Sequence, residues 1–313
     1  MVREMSGKRI DTTTSRTAEW TCMCRAASSF ETDPNYRSDD VLAAILVPGF
    51  IRLLLRPRVG RAVFRRVIAA KGIYEYVIAR TKYIDEAFRK ALGDRFDQIV
   101  LFGAGFDTRG LRFRAQLGSA RVFELDVPFT QKAKIDRYRQ QNLVVPGNLR
   151  FIAIDFDKES PAEKLKQFGF HDRERSLFIL EGVLMYLQPA SVEATFRALH
   201  ALAVAGSRVV FDYIRASVLR GENSVYGESG VTRAVSEVNE KWHFALEPDK
   251  IGSFLSTYGF ALNDHKDAGE LERLYFEDAN GRIVGRINGT HCLVTARRQE
   301  RIDAQGSMTS GFS

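Results

Sequence analysis

The chain has 313 residues, enough for one large domain or two small ones, and its 45% hydrophobic and 27% charged residues exclude the disordered and membrane-embedded classes. Forty-six Lys and Arg against 39 Asp and Glu leave a net charge of +7, which favours acidic substrates but is too diffuse to single out a nucleic-acid binder. Cys22, Cys24 and Cys292 form no disulfide framework, and the Cys-x-Cys pair has no second Cys or His pair at ligand spacing, so a reducing compartment and no metal are expected.

Residues 1–95 read as a helical cap in the same domain as the remainder of the chain, with helices over Ser15–Ala27, Val41–Leu54, Gly60–Ala70 and Tyr74–Leu92 and a turn at Thr32–Asn35. No apolar run comes after Arg3, Glu4, Lys8 and Arg9, so no secretory signal is visible and a cytoplasmic location is expected. Val41–Leu55 is the most apolar early stretch, but Pro48, Gly49 and Arg52 interrupt it and it falls short of the roughly 20 residues that span a bilayer. It reads as helix packed on the body, with no membrane partner. Arg56–Arg66 and Arg297–Arg301 are the densest basic patches; no aromatic-interleaved RNA motif accompanies either, and both read as solvated helix faces.

From Gln98 the pattern changes to short apolar runs alternating with amphipathic stretches. Strands are predicted at Gln98–Phe102, Ala120–Leu125, Leu149–Ile154, Ser176–Leu180, Arg208–Tyr213, Ala261–His265 and Gly289–Ala296. Helices are predicted at Thr108–Gln116, Phe129–Gln141, Ala162–Phe168 and Ala190–Ala203, the last opening on Pro189 with Ser191 as a candidate cap. Residues 214–247 form an insertion, and Pro248–Tyr258 reads as a helix that Gly259 ends. The last two strands are separated by Asp267–Asn288, which carries turn signals at Gly269, Asn280–Gly281 and Gly285 but no convincing helix. Parallel neighbours need a long, usually helical crossover, so one of these strands is expected to be antiparallel. The predicted fold is a doubly wound α/β sheet of seven strands with one antiparallel member over 96–297, the cap before it and a flexible tail at 298–313.

Gly103-Ala104-Gly105 comes directly after the first strand, where a ligand approaches the backbone of such sheets. Asp126 ends the second strand about 20 residues on; it either accepts both ribose hydroxyls of a nucleoside or caps the helix behind Pro128, and the two roles are compatible. The third glycine of a dinucleotide fingerprint is replaced by Thr108, so the pyrophosphate arrangement is incomplete. S-adenosylmethionine has ribose and adenine without phosphate and fits the residues that remain. At the third strand tip Asp155 can accept the adenine amino group while Phe156 covers the ring, or Asp155 and Asp157 merely open a loop. Glu181 ends the fourth strand, as a ligand for the ammonium or a neighbour of the sulfonium, or as a loop carboxylate.

Ser15-Arg16-Thr17-Ala18, Ala79-Arg80-Thr81-Lys82-Tyr83-Ile84-Asp85, Gly103 to Arg109, Glu124 to Pro128, Asp155-Phe156-Asp157 and Glu181 to Leu187 together resemble the leucine carboxyl methyltransferase-like family, in particular its bacterial class I S-adenosylmethionine-dependent O-methyltransferase branch. The resemblance covers about Ser15 to Ala296. It implies that Arg80 pairs with the cofactor's methionine carboxylate, with Gly103 against its backbone side, Asp126 on the ribose, Asp155 and Phe156 on the adenine, and Glu181 near the transferred methyl. The other reading of Arg80 is a surface ion pair with Asp85 or Glu75. The expected acceptor is a small molecule or peptide with an acidic group, a carboxylate ahead of a hydroxyl. If a base is used, His243, beside Trp242 in the insertion, and Tyr213 are the candidates, with Tyr226 behind them. The competing readings are a noncatalytic nucleoside-binding regulatory protein of the same fold and an NAD-dependent oxidoreductase.

Overall fold

In the computed structural model, which describes residues 14–156, 158–237 and 241–300, all seven predicted strands form: β1 (Gln98–Phe102), β2 (Arg121–Asp126), β3 (Leu149–Ala153), β4 (Ser176–Leu180), β5 (Arg208–Ile214), β6 (Phe260–Lys266) and β7 (His291–Arg298). They make one sheet in the order β3-β2-β1-β4-β5-β7-β6. Strands β1 to β5 pair in parallel, and β7 runs antiparallel to both β5 and β6. The antiparallel member is therefore β7, which begins at the edge where the parallel strands end. Central strands β1 and β4 are buried throughout, as continuous apolar runs covered on both faces must be.

Before the sheet come α1 (Arg16–Ser29), α2 (Ala43–Leu46), α3 (Gly49–Leu55), α4 (Arg58–Val63) and α5 (Ile73–Gly93). The single helix expected over Val41–Leu54 is broken, because Val47 must turn extended (φ −77°, ψ 154°) ahead of the ring of Pro48. The next one starts at Arg58, earlier than the sequence suggests, and passes into a π-helical turn at Phe64–Ile68. Helices α6 (Arg109–Arg112), α7 (Pro128–Gln140), α8 (Pro161–Gln167) and α9 (Pro189–Leu202) link the first five strands. The segment expected to be helical over Thr108–Gln116 keeps only one turn. Ser191 does not cap α9: the cap position is Gln188, Pro189 takes the first turn, and Ser191 lies inside the helix.

Beyond β5 lie α10 (Ala216–Leu219), α11 (Glu228–Glu237), α12 (Ile251–Thr257) and α13 (Ala268–Phe276). Gly259 does stand in the left-handed region behind α12, at φ +70°. Helix α13 occupies the stretch expected to be irregular, closed by a capping box in which Asp267 and Glu270 each bond the other's backbone N–H. The tail predicted from 298 overlaps β7, which ends at Arg298; residues 301–313 lie outside the described residues, as does Asp157.

Alternation along the strands divides the interior in two. Ile99, Leu101, Val122, Ile179 and Val210 face one core, shared with Cys22 and Ala26 of α1 and Ile78, Ile84 and Phe88 of α5. Val100, Phe102, Leu125, Phe178 and Phe211 face the other, with Phe196 of α9 and Leu255 of α12. The N-terminal helices thus share the sheet's first core. Among the described residues no helix is long and apolar enough to cross a membrane.

Candidate active site

Strand register brings the separate motifs together. Phe102 is level with Leu125 on one side and Leu180 on the other, so Gly103, Asp126 and Glu181 are the next residues on three adjacent strands, which stand roughly 4.8 Å apart. Asp126 is level with Ala153, which sets Asp155 just beyond on the fourth.

Both loop glycines have positive φ, +60° at Gly103 and +46° at Gly105. A Cβ at Gly103 would lie 2.7 Å from Val183 Cγ2, and one at Gly105 3.1 Å from Ala18 Cβ, so the loop needs glycine for space as well as for conformation. The Gly105 N–H donates to Asp126 Oδ2 and the Val127 N–H donates to Oδ1 at 2.6 Å. Burial pushes the Asp126 carboxyl up to about 6 despite these two donors. A diol would supply further donors to the charged form, which is the fit a ribose offers. A dinucleotide fits worse: the Asp107 carboxylate already takes the Arg109 N–H at 2.7 Å where α6 begins, and Thr108 donates to Asp40 at 2.6 Å, so carboxylates crowd the turn a pyrophosphate would need.

Arg80, buried on α5, pairs with neither Asp85 nor Glu75. Its Nε stands 3.0 Å from Glu181 Oε1, and its Nη1 donates to Asp212 Oδ2 at 2.8 Å. Asp212 also accepts from the Tyr76 hydroxyl at 2.8 Å and the Gly182 N–H at 2.6 Å. Glu181 is shared in turn by the fully buried Arg109, 2.6 Å from Oε2, which also meets Asp107 and, at 2.7 Å, Asp85. Arg112 closes on Asp85 at 2.6 Å, and Arg25 on Asp40 at 3.1 Å. Four guanidiniums and five carboxylates (Asp40, Asp85, Asp107, Glu181, Asp212) so form one buried web joining α1, α5, the glycine loop and the ends of β4 and β5. Within it, Arg80 Nη2 takes no hydrogen-bond partner among the described residues. Sequence reading singled out Arg80 and Glu181 but not the partners they meet, Asp212 on Arg80 and Arg109 on Glu181. A lone acid inside the apolar run of β5 was the available signal for Asp212.

The remaining candidates divide. Phe156 lies beside the loop, its ring 6.4 Å from that of Phe102, and Asp155 holds Lys158 at 2.6 Å, so the loop-opening role is filled whatever else it does. His243 has an exposed side chain, but its backbone N–H donates to Met185 O at 2.7 Å, which brings the insertion onto the loop after Glu181. Tyr213 is not brought to the web: side chains alternate along β5, and with Asp212 turned toward Arg80, Tyr213 enters the opposite core, where its hydroxyl lies 2.9 Å from His265 Nε2. Tyr226 contributes its ring to Arg286, 4.0 Å away. The imidazole that does reach the web is His291, at the start of β7. It stacks on Tyr76 at 4.4 Å and meets the edge of Trp242 at 5.5 Å. No local pattern marks it, since only the pairing of β7 with β5 carries it there.

A sequence model of the family described as leucine carboxyl methyltransferase matches residues 18–200. A protein of Bacillus subtilis strain 168, provisionally named as the S-adenosyl-L-methionine-dependent methyltransferase YktD, is 26% identical over 201 residues, 64% of this chain and 66% of that protein. One of Mycolicibacterium smegmatis, named for the same activity, is 30% identical over 226 residues, 68% of this chain and 70% of that protein. The chain thus spans about two thirds of the length of these relatives. Among solved structures, a DUF574 family protein of Streptomyces avermitilis superposes with a TM-score of 0.58 at 15% identity, covering 93% of this chain and all of that one. A methyltransferase-assigned protein of Thermobifida fusca superposes at 0.56 and 15%, covering 96% and 100%. These two likenesses establish the fold.

Proposed function

From the premise that the chain belongs to the leucine carboxyl methyltransferase family, and so among the S-adenosylmethionine-dependent methyltransferases, we propose that it methylates an oxygen of a carboxylic acid carried by a small molecule or peptide. S-adenosylmethionine supplies a methyl group activated on a sulfonium. In this reading Asp126 accepts the ribose hydroxyls, Arg80 offers Nη2 to the methionine carboxylate, Gly103 and Gly105 admit close backbone approach, Asp155 and Phe156 serve the adenine, and Glu181 stands by the ammonium. The charges agree: five carboxylates against four guanidiniums leave the web at −1, and S-adenosylmethionine, with one carboxylate, one ammonium and one sulfonium, carries +1. The web therefore orients the methyl donor, and positioning supplies much of the acceleration.

The observation that supports a carboxylate acceptor is the state of the groups around Glu181. Burial alone would raise the Glu181 carboxyl, but Arg109, Arg80 and Arg25 outweigh it and hold it at about 2. Burial pushes the Tyr76 hydroxyl well up and the His291 imidazole down to about 4. A general base works best with a pKa near the operating pH, and none of these three stands there. An ionised carboxylate needs no base, and the net charge of +7 attracts it. Transfer of labelled methyl from S-adenosylmethionine to carboxylic-acid acceptors tests the reading. The product should be an alkali-labile ester, formed at a rate that does not climb between about pH 6 and 9 as a deprotonation step would require. An alkali-stable ether would overturn it and turn attention to His243.

A further inference from the structure

The segment between Asp40 and Glu75 has no part in the web, and its chemistry is of a different kind. It contains no acidic residue, but it holds Arg52, Arg56, Arg58, Arg61, Arg65, Arg66 and Lys71. Arg61 pairs with Glu31 at 3.1 Å and Arg65 lies 4.8 Å over the ring of Tyr36. Arg52, Arg56, Arg58 and Arg66 have no side-chain partner among the described residues. Interleaved with them, Phe50, Leu53, Leu54, Val59 and Val67 stand 61–76% exposed. Phe50, Leu53 and Leu54 have the i, i+3, i+4 spacing that ordinarily faces a core, yet here that stripe of α3 faces outward. The packed helix expected from the sequence buries only Leu55 along this length.

We propose that this face docks on an anionic phospholipid bilayer, with the apolar side chains of α3 and α4 at the acyl boundary and the free arginines on lipid phosphates. Guanidinium forks match phosphate oxygens two at a time, and the long arginine stems let the heads stay at headgroup level while the apolar residues enter. A basic face with exposed large apolar residues is what binds the plane of a membrane without crossing it. A second copy of the chain is a poor occupant, since two such faces would set the unpaired arginines of one against those of the other, and the segment between Asp40 and Glu75 has no acid of its own to meet them. The surface replaces the expectation of no membrane partner, and it stands independently of the acceptor's identity.

The test is co-sedimentation of the full chain with phosphatidylcholine vesicles and with vesicles that also contain phosphatidylglycerol. Binding should be confined to the anionic vesicles and should weaken as salt is added. The triple substitution Arg56→Gln, Arg58→Gln, Arg66→Gln should reduce partitioning by roughly tenfold or more, because each cation near such a surface contributes several-fold. Leu53→Ser with Leu54→Ser should cause a comparable loss while S-adenosylmethionine binding and the thermal melt stay unchanged, which separates lost docking from lost folding. Equal binding to both vesicle types, no binding to either, or parent-like binding by either variant would overturn the proposal. Tighter binding to polyglutamate than to anionic vesicles would overturn it too and assign the face to an acidic protein.

Discussion

Arginines in the first third of the chain meet opposite fates. Arg25 and Arg80 are buried in ion pairs with carboxylates from other parts of the chain, while Arg52, half-buried, and Arg56, Arg58 and Arg66, exposed, find none among the described residues. Residue type is the same in the two sets, and Arg52 and Arg58 lie in helices as Arg25 and Arg80 do. Each guanidinium of this region that leaves water has a carboxylate to meet it, Asp40 for Arg25, Glu31 for Arg61, and Glu181 with Asp212 for Arg80, because an unpaired buried charge costs more than the fold can recover. The comparison teaches that arginine content identifies neither a site nor a surface; the supply of acids within reach does.

The sharpest way to break this contrast is Arg109→Ala. Removing the cation between Asp85, Asp107 and Glu181 leaves three buried carboxylates short of a partner, and breaking such a pair costs about 3–5 kcal/mol. Thermal unfolding monitored by circular dichroism should show a midpoint lower by about 10 °C for a chain of this size. A melt like the parent's would mean that the web is solvated and the contrast false.

Arg80→Lys probes the same web with charge preserved. A single ammonium nitrogen cannot stand at the separate positions from which Nε meets Glu181, Nη1 meets Asp212 and Nη2 would meet a ligand carboxylate, so S-adenosylmethionine affinity by calorimetry should drop about tenfold or more. Unchanged affinity would reduce Arg80 to a structural ion pair.

Asp126 sharpens the comparison from its other side, as a buried acid that no guanidinium meets among the described residues. Its carboxyl is raised to about 6 by burial, so it takes up a proton as the pH falls through 6 and loses acceptor strength for a diol. Cofactor affinity should be level above about pH 7 and decline below 6, and in Asp126→Asn this pH dependence should vanish along with on the order of 1.5–3 kcal/mol of binding. Titrations in which parent and variant decline together would remove Asp126 from the ribose site.

The smallest effect belongs to the exposed set. Arg56→Ala should leave the melting midpoint within about 2 °C of the parent and cofactor affinity unchanged, since surface substitutions away from paired charges rarely matter to stability. A large drop would show that this arginine is held after all.

The sequence by itself determined the seven strands, the glycine loop, Asp126 and Glu181 at adjacent strand tips, and the stop at Gly259. Each of these rests on a period of two, a turn residue or a spacing that a few consecutive residues express. The capping box of α13 was equally local, with Asp267 and Glu270 in the readable Asp-x-x-Glu form, and was obscured by the glycine between them. Tertiary structure alone decided which carboxylates Arg80 meets, that Arg109 is buried, that His291 rather than Tyr213 lies beside Tyr76, and that α3 turns its apolar stripe outward. Arg80 and Asp212 are 132 residues apart, and no local pattern links them. Their meeting depends on β5 joining the sheet beside β4, and the face Asp212 presents there was fixed only once that strand's register was set.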